Sequence, residues 1–204
     1  MAKILNSTNH LNDDVAHLVF KRKDTLKSMG ILFLIAVIIV FLKIPFISDI
    51  INFIATIIIV VQGFRAIKIT GEINKRSSGV EGESLALQIL SRLPDNYSIA
   101  TDLKVSDDEG RTSQIDVVVV GNNGIFIVEV KNMNGNIVGN SDNKDFVQFK
   151  TGRKGGKYSK TFYNPIKQVR THTFRLSQFL KRNGFKYNIK DSVLFTNSNV
   201  TISI

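Results

Sequence analysis

Two carboxylates and a lysine fall within one short stretch of the sequence, residues 114–132, which reads QIDVVVVGNNGIFIVEVKN. The rest of the stretch is mainly β-branched and apolar, and its central Gly-Asn-Asn-Gly is typical of a tight turn between antiparallel strands. If Asn122 and Asn123 form a two-residue turn, the strand pairing brings Asp116 directly opposite Glu129. A longer loop would shift this register.

Facing carboxylates on apolar strands are unstable unless their charge is neutralised. Directly opposite residues have Cβ atoms about 5 Å apart, so the charges repel, and partial burial adds a desolvation cost. A divalent cation would remove both penalties, and Mg²⁺ and Mn²⁺ prefer such oxygen ligands. Lys131 projects from the same strand face as Glu129, where a lysine can orient an attacking water and stabilise phosphate charge. Any one of the three alone is more often a solvated residue at a strand edge.

The surrounding pattern predicts the strands that position these residues. Strands are expected over Tyr97–Val105, Gln114–Val120 and Ile125–Val130, where β-branched and aromatic residues lie between turn signals. Residues 131–163 are polar and rich in glycine, which predicts a loop with short strands around residues 146–149.

Two amphipathic helices are predicted to cover the sheet. The first begins at Glu83 and ends at Pro94; the second begins at Pro165, reaches about Asn183, and is followed by a strand over Asp191–Thr196. The first helix places Leu85, Ile89 and Leu93 on one face, with Leu87 and Leu90 beside them. The residues expected to face inward in the second helix are Ile166, Val169, Thr173 or Phe174, Leu176 and Leu180.

Two apolar runs precede this domain, Met29–Leu42 and Ile50–Phe64, with Lys43 and Pro45 between them. Each is shorter than the roughly 20 residues that span a bilayer core, but flanking residues extend them if the bordering cations reach the interface. We therefore predict a transmembrane helical hairpin over residues 29–69. A signal peptide fits poorly because a second apolar run follows at once, and a buried two-helix core is the other alternative.

Flanking charges give the hairpin an orientation. Cations precede it, Lys21 to Lys27, and follow it, Arg65 to Arg76, which predicts cytoplasmic termini in a multi-pass protein of a bacterial cell membrane. Residues 1–28 are then a polar, basic segment, residues 70–78 a linker, and residues 79–204 the catalytic domain.

The composition excludes some kinds of site and favours one kind of partner. The chain of 204 residues has no cysteine, which excludes disulfides and thiolate sites, and its net charge of +10 favours polyanionic partners. Its three histidines, His10, His17 and His172, lack metal-ligand spacing and receive no role.

Cations concentrate between Lys144 and Lys190, where thirteen accompany a single acid, Asp145. The interleaved Tyr158, Phe162 and Tyr163 could stack on bases. This pattern predicts a nucleic-acid-binding surface, although an ordinary solvated face or contact with anionic lipid is an alternative. The expected nucleic-acid contacts are Lys150, Arg153, Lys154, Lys157, Lys160, Lys167 and Arg170.

A series of short motifs recurs in a definite order. They are Gly79-Val80-Glu81-Gly82-Glu83, Tyr97, Asp102-Leu103, Gln114-Ile115-Asp116, residues 124–132, Gly135-Asn136-Ile137 and Asn164 to Gln168. In this order and spacing, residues 79–200 resemble the nuclease-related domain (NERD) family of the PD-(D/E)xK nucleases. The resemblance implies a restriction-endonuclease-like αβββαβ core with a central mixed α/β sheet.

The resemblance also implies roles. Asp116, Glu129 and the carbonyl of Val130 would bind Mg²⁺ or Mn²⁺, with Lys131 as the catalytic lysine. Glu83 would be an outer acid on the first helix, and Gln168 would lie near the site. The family pattern favours Glu83 over Glu81 for this role.

Two positions depart from the family pattern. Val117 stands where a histidine usually follows the Asp, and Phe146 or Phe149 stands where an aromatic residue, often Trp, is expected. We therefore predict a membrane-anchored, metal-dependent nuclease that hydrolyses phosphodiester bonds, with DNA as the expected substrate, through a metal-activated water. The alternative is a membrane-tethered nucleic-acid-binding adaptor with little or no activity.

Overall fold

The computed structural model describes residues 1–6, 10–41, 47–152 and 155–204. The chain forms two compact units. The α/β unit contains Met1–His10 and Gly79–Ile204, and the helical unit contains Leu11–Ser78. The N-terminal residues therefore belong to the α/β unit, whereas the sequence pattern groups them with the polar segment that follows.

Two long helices provide the helical unit. Helix α1 spans His10–Phe41, and helix α2 spans Ile47–Leu90 and ends inside the α/β unit. Residues 70–78, predicted as a linker, are helical. The Glu, Lys and Arg residues of this segment favour a helix strongly enough to continue it through one glycine and two serines.

One helix in the described part of the chain is long and apolar enough to cross a membrane, Asp49–Leu90, with a mean hydropathy of 2.0 over an 18-residue window. Its large apolar side chains, including Phe53 and Phe64, are exposed. The predicted hairpin is not supported, because α2 is the one helix of the described residues that is long and apolar enough, and α1 is described only as far as Phe41. Lys43 and Pro45, on which the predicted turn depends, lie outside the described residues.

Nine strands form two sheets in the described part of the α/β unit. They are β1 (Lys3–Ile4), β2 (Ser98–Ser106), β3 (Thr112–Gly121), β4 (Gly124–Lys131), β5 (Gly135–Val138), β6 (Asp145–Thr151), β7 (Lys157–Tyr163), β8 (Ile189–Phe195) and β9 (Val200–Ser203). The central sheet has the order β1-β2-β3-β4-β8; β1 and β8 pair in parallel with their neighbours, whereas β2, β3 and β4 are antiparallel. The predicted mixed α/β architecture is confirmed.

The second sheet has the order β7-β6-β5-β9. Three of its strands come from residues 131–163, for which the sequence predicts mainly loop. Strand β6 alternates buried Phe146 and Gln148 with more exposed neighbours, a period-two pattern that the many polar residues of this region obscure.

Helices cover both faces of the central sheet. Helix α3 (Pro165–Arg182) packs Val169 and Leu176 against a cluster that includes Ile115 and Ile127. On the other face, Leu87 and Leu90 of α2 pack against a cluster of valines and Ile99. The order of the end of α2, β2, β3, β4, α3 and β8 is the αβββαβ arrangement.

The predicted inner face of the first helix is wrong. In α2, Leu85 and Ile89 are exposed, and the helix turns Ala86, Leu87 and Leu90 towards the sheet. Several faces of a leucine-rich segment have similar apolar content, so the sheet surface rather than the sequence period selects the buried side. In α3, Val169 and Leu176 are buried as predicted, and of the two alternatives Thr173 is half-buried and Phe174 is exposed.

Candidate active site

The β3–β4 hairpin has the predicted register. Gly121 pairs with Gly124 across the two-residue turn, and the pairing continues to Val117 and Val128. Asp116 and Glu129 are next in this register. There the regular ladder ends, and the Asp116 carboxylate (Oδ2) accepts a hydrogen bond from the Val130 amide at 2.8 Å.

Glu129 is the central group of the site, with only 2 % of its surface exposed. The Lys131 ammonium donates to Glu129 Oε1 at 2.6 Å and to Gln168 Oε1 at 3.0 Å. Lys131 is therefore held between a strand carboxylate and a helix amide, in the position that the strand period predicts.

Helix α3 positions Gln168 through a well-defined N-terminus. Asn164, fully buried, caps the helix by accepting from the amide of Ile166 at 2.9 Å, and Pro165 occupies the first turn. The Asn164 side chain also donates to three loop carbonyls, among them that of Asn143 at 2.8 Å. This cap fixes the first turn of α3 relative to the loop before β6, so Gln168, one turn later, has a defined place.

The two facing carboxylates have opposite electrostatic environments. Burial, and then the charge of Glu129, raise the pKa of Asp116 to about 6. The Val130 amide, Lys131 and His172 act in the opposite direction but do not cancel this rise. Burial also acts to raise the pKa of Glu129, but His172 and Lys131 outweigh it, and the pKa is lowered. Glu129 is therefore the ionised member of the pair, and Asp116 is held near its protonation midpoint in weakly acidic solution.

Glu83 of α2 belongs to the same electrostatic cluster. Burial, followed by the charges of Asp116, Asp102 and Glu129, raises its pKa to about 7. The preceding residue explains how the helix comes this close: a Cβ at Gly82 would lie 2.7 Å from the Cβ of Asn132, directly after β4. Only glycine allows this approach.

Glu81 occupies a different environment. Its exposed carboxylate accepts a hydrogen bond from the Asn132 side chain at 3.3 Å. This contact joins α2 to the end of β4 at the surface. Glu83 is the helix carboxylate whose pKa responds to the charges of Asp116 and Glu129.

His172 is a site residue that sequence reasoning missed. It is buried, and its Nε2 atom lies 3.4 Å from Glu129 Oε2 as an ionic contact. Among the described residues, neither ring nitrogen has a hydrogen-bond partner. The helical spacing could have indicated this position, since His172 lies four residues after Gln168, on the same face of a helix.

Asp102 is a second missed residue. The register pairs Thr101 with Val117 and Leu103 with Ile115, but not the intervening Asp102 with Asp116. Asp102 has a φ of 54°, unusual for a residue other than glycine. This irregularity lies directly across from Asp116. Strained backbone conformations of this kind often occur at functional positions.

The Asp102 side chain is held in place by partners from two other segments. Its Oδ2 accepts from the backbone amide of His10, the first residue of α1, at 3.0 Å, and its Oδ1 accepts from Gln114 Nε2 at 2.8 Å. Both of these partners belong to the α/β unit, and they fix the direction of the Asp102 carboxylate.

Asp116 and Glu129 could hold a metal ion, and the carbonyl of Val130 stays the predicted third ligand. No group of three His, Asp or Glu side chains suited to a metal ion occurs in the described ranges. Mg²⁺ commonly binds through one or two carboxylates and keeps several waters, so this donor set fits it. The buried Glu129 Oε2 also fits, because it has no hydrogen-bond partner among the described residues.

The predicted nucleic-acid contacts that the structure describes lie on the second sheet and on α3. Lys157, Lys160 and Arg170 are exposed, whereas Lys150 and Lys167 are half-buried. Lys167 donates to the carbonyl of a neighbouring loop residue at 2.5 Å. Two further predicted contacts, Arg153 and Lys154, lie outside the described residues.

Part of the predicted basic surface is neutralised by acids from another segment. Arg175 bonds Asp107 at 3.3 Å, and Arg182 pairs with Asp108, both from the β2–β3 turn. Counting charges along residues 144–190 could not reveal these partners, because they precede the window in sequence.

Val117 lies on the face of β3 opposite to the site, buried with Ile99 and Val128. The missing histidine therefore removes no group from the Asp116 side. Of the two candidate aromatics, Phe146 is fully buried and Phe149 is exposed.

Comparison with known proteins gives one family. The sequence profile described as the nuclease-related domain matches residues 78–196. An uncharacterized protein of Bacillus anthracis is 31 % identical over 103 residues, which cover 50 % of this chain and 48 % of that protein. The chain thus spans about half the length of this relative. No solved structure matches the chain.

Proposed function

Because the chain belongs to the nuclease-related domain family, we propose that its α/β unit hydrolyses phosphodiester bonds of nucleic acid, with DNA as the expected substrate and Mg²⁺ or Mn²⁺ as cofactor. The single observation that carries this proposal is the convergence of Asp116, Glu129 and Lys131 at the end of one hairpin. Like charges that are buried close together lower the stability of the fold. A catalytic role on a phosphate would explain why the chain has them there.

The metal would be held by Asp116, Glu129 and the carbonyl of Val130. When bound, it would activate a water and neutralise charge on the phosphate. The facing carboxylates fit this task because only their ionised forms bind a cation. Burial, and then the charge of Glu129, raise the pKa of Asp116, and a bound cation would offset both effects.

The chain's own residues would complete the reaction. Lys131, fixed by Glu129 and Gln168, presents its ammonium group to the phosphate and lowers the cost of negative charge there. Glu83, with a pKa of about 7, can accept or release a proton at neutral pH. His172 acts on Glu129 and is a positioning residue.

Attachment to a lipid bilayer is part of the proposal. The exposed apolar surface of the helical unit, with Phe53 and Phe64 on α2, supports it, because water-soluble proteins rarely expose a continuous apolar patch of this kind. Both apolar runs would enter the membrane as a hairpin, with cytoplasmic termini and the α/β unit on the cytoplasmic side. Association that resists carbonate and is lost on deletion of residues 29–64 would support this; a full-length chain that stays in the soluble fraction would contradict it.

The decisive experiment uses the purified full-length chain in detergent. Labelled DNA is incubated with Mg²⁺, Mn²⁺ or EDTA, and the wild type is compared with Asp116→Asn. We expect metal-dependent cutting that the substitution abolishes. Glu109→Gln, on an exposed turn of the same unit, is the matched control and should cut normally.

Cutting that survives Asp116→Asn would overturn the assignment of the site. Salt-sensitive DNA binding without cutting, unchanged by EDTA, would instead identify a nucleic-acid-binding module. Far-UV circular dichroism of each variant separates loss of chemistry from loss of fold.

A further inference from the structure

The second sheet has two unlike faces. One face is buried and includes Ile137 and Phe146. The strand pairing places Asn136, Phe149 and Ser159 in one row across β5, β6 and β7, on the opposite face. Phe149 is 47 % exposed there, although it occupies an inner strand of its sheet.

An open cleft of about 590 Å³ lies at this part of the sheet. Its lining includes two aromatic residues, Phe149 and Tyr158, and two lysines, Lys150 and Lys157. The remaining lining residues are neutral glycine, asparagine, serine and threonine. A single exposed phenylalanine is ordinary; an exposed phenylalanine in a cationic cleft is a specific combination.

The cleft is distinct from the carboxylate site, because the residues lining it do not include the site residues. Gly135 begins the adjacent strand with a φ of 87°, and a Cβ there would collide with the carbonyl oxygen of Phe149. The close approach of β5 to β6 at this point requires glycine, and it fixes the backbone of Phe149.

The chemistry of the cleft points to one ligand class. Aromatic rings on a sheet stack with nucleobases of any sequence, and neighbouring lysines attract the phosphates. A base inside a duplex has both faces covered by its neighbours, so only an unpaired base can stack on a protein ring. A cleft of this volume is within the range of small-ligand sites and can hold a nucleotide.

We propose that this cleft binds an unpaired nucleobase of single-stranded nucleic acid, stacked on Phe149, with Lys157, which the strand pairing places on the same face of the sheet, contacting the adjoining phosphate. The proposal rests on the proposed function only in taking nucleic acid as the ligand. It adds the substrate class: the chain binds single strands, or unpaired segments next to a duplex, more tightly than a continuous duplex.

The absence of tryptophan from the sequence allows a direct measurement. Phe149→Trp keeps an aromatic ring at the position and introduces a single fluorophore. The full-length variant in detergent, with EDTA present to prevent cutting, is titrated with a 20-nucleotide oligothymidine, with an abasic strand of equal length and with a 20-base-pair duplex. Quenching is expected with oligothymidine, and the abasic strand and the duplex should produce little.

Affinity measured by anisotropy of labelled oligothymidine provides the second readout. Phe149→Ala should weaken binding roughly tenfold or more, the range for loss of one stacked base. Phe149→Leu keeps apolar bulk for folding but has no ring, and it should behave like the alanine variant. Phe174→Ala removes another exposed ring, on α3, and should bind like the wild type.

Equal affinity for abasic and thymidine strands, or unchanged binding by both Phe149 variants, would overturn the inference and leave only phosphate attraction. If DNA is cut while the Phe149 variants bind normally, the inference fails and the proposed function stands. If stacking is observed but no metal supports cutting, the cleft stands and the nuclease proposal fails.

Discussion

The two units of this chain distribute polar and apolar groups in opposite ways. In the α/β unit, Glu129 is buried beside Lys131 and His172, and apolar side chains fill the interior on both faces of the central sheet. In the helical unit, Phe53 and Phe64 are among many large apolar side chains that are exposed. The first arrangement suits a domain that folds in water around a charged site, and the second suits an apolar solvent.

The difference predicts which substitutions should damage each unit. A change of charge should be damaging inside the α/β unit and tolerated on its surface. In the helical unit, a charge should be damaging on the exposed apolar surface, where an ordinary soluble protein would tolerate it. Four predictions test this contrast, in order of decreasing expected effect.

The largest effect is expected from Lys131→Met. The substitution keeps the length of the side chain but removes the ammonium group, and we expect cutting to fall about 10²–10³-fold, the range for loss of one transition-state donor. It also leaves Glu129 without its closest cation, so the free energy of unfolding should fall by about 1–3 kcal/mol. Single-turnover cutting and urea unfolding measure the two effects.

Lys68→Met is the control for this prediction in the other unit. Lys68 is exposed on α2, so neither rate nor stability should change by a comparable amount. Similar losses from both lysines would show that the rate depends on overall charge, and the contrast between the units would fail.

The second prediction concerns Phe53→Lys. If the helical unit lies in a bilayer, a lysine at the centre of a span costs about 2.5–3.5 kcal/mol of insertion free energy, and a lysine at Phe53, the fourth residue of the apolar run Ile50–Phe64, costs less. We expect a larger fraction of the chain to be extracted from membranes by carbonate. Phe174→Lys, which places the same charge at an exposed phenylalanine of the α/β unit, should leave the extracted fraction unchanged. Equal extraction of both variants and the wild type would argue against a bilayer.

The third prediction concerns pH and metal. The pKa of Asp116 is raised from 3.8 to about 6, and that of Glu83 from 4.5 to about 7. The folded chain therefore holds these protons more tightly than the unfolded chain. Their contribution to stability is fully present below the unfolded values and is lost as pH rises through about 6 and 7. Without divalent metal, the unfolding temperature should fall between pH 5 and pH 8.

Added Mn²⁺ should oppose this loss and raise the unfolding temperature more at pH 8 than at pH 5, because protons and metal compete for the carboxylates. Asp116→Asn should flatten the pH dependence and remove most of the effect of Mn²⁺. Glu109→Gln, a substitution at an exposed carboxylate, should alter neither. An unfolding temperature that responds equally to Mn²⁺ in both variants would place the metal elsewhere.

The parts of the α/β unit that the sequence predicts well are those with local causes. The two-residue turn of the β3–β4 hairpin fixes its register, so Asp116, Glu129 and Lys131 could be placed from a single stretch. Pro165 likewise indicated the first residue of α3, which the structure confirms. In both cases, neighbours in sequence make the contacts that decide the structure.

The missed features depend on segments far apart in sequence. His172 contacts Glu129 across 43 positions, and Asp102 meets His10 across 92. Strand β1 has only two residues, too short for any periodic pattern. Its pairing with β2 is determined by the edge that the folded sheet offers, which no local window contains.

The smallest predicted effect tests whether the first residues belong to the α/β unit. Asn6 donates to the Thr101 carbonyl at 3.0 Å and accepts from the Thr101 amide at 2.9 Å, one residue before Asp102. Asn6→Ala should lower the free energy of unfolding of this unit by about 1 kcal/mol, the usual net worth of such hydrogen bonds. Asn12→Ala changes an exposed residue of the same type on α1 and should have little effect. Because Asn6 adjoins the strained Asp102 and not the carboxylates themselves, we expect amide exchange in β2 to rise while cutting falls only a few-fold. Equal stability of the two variants would place residues 1–6 outside the cooperative fold of the α/β unit.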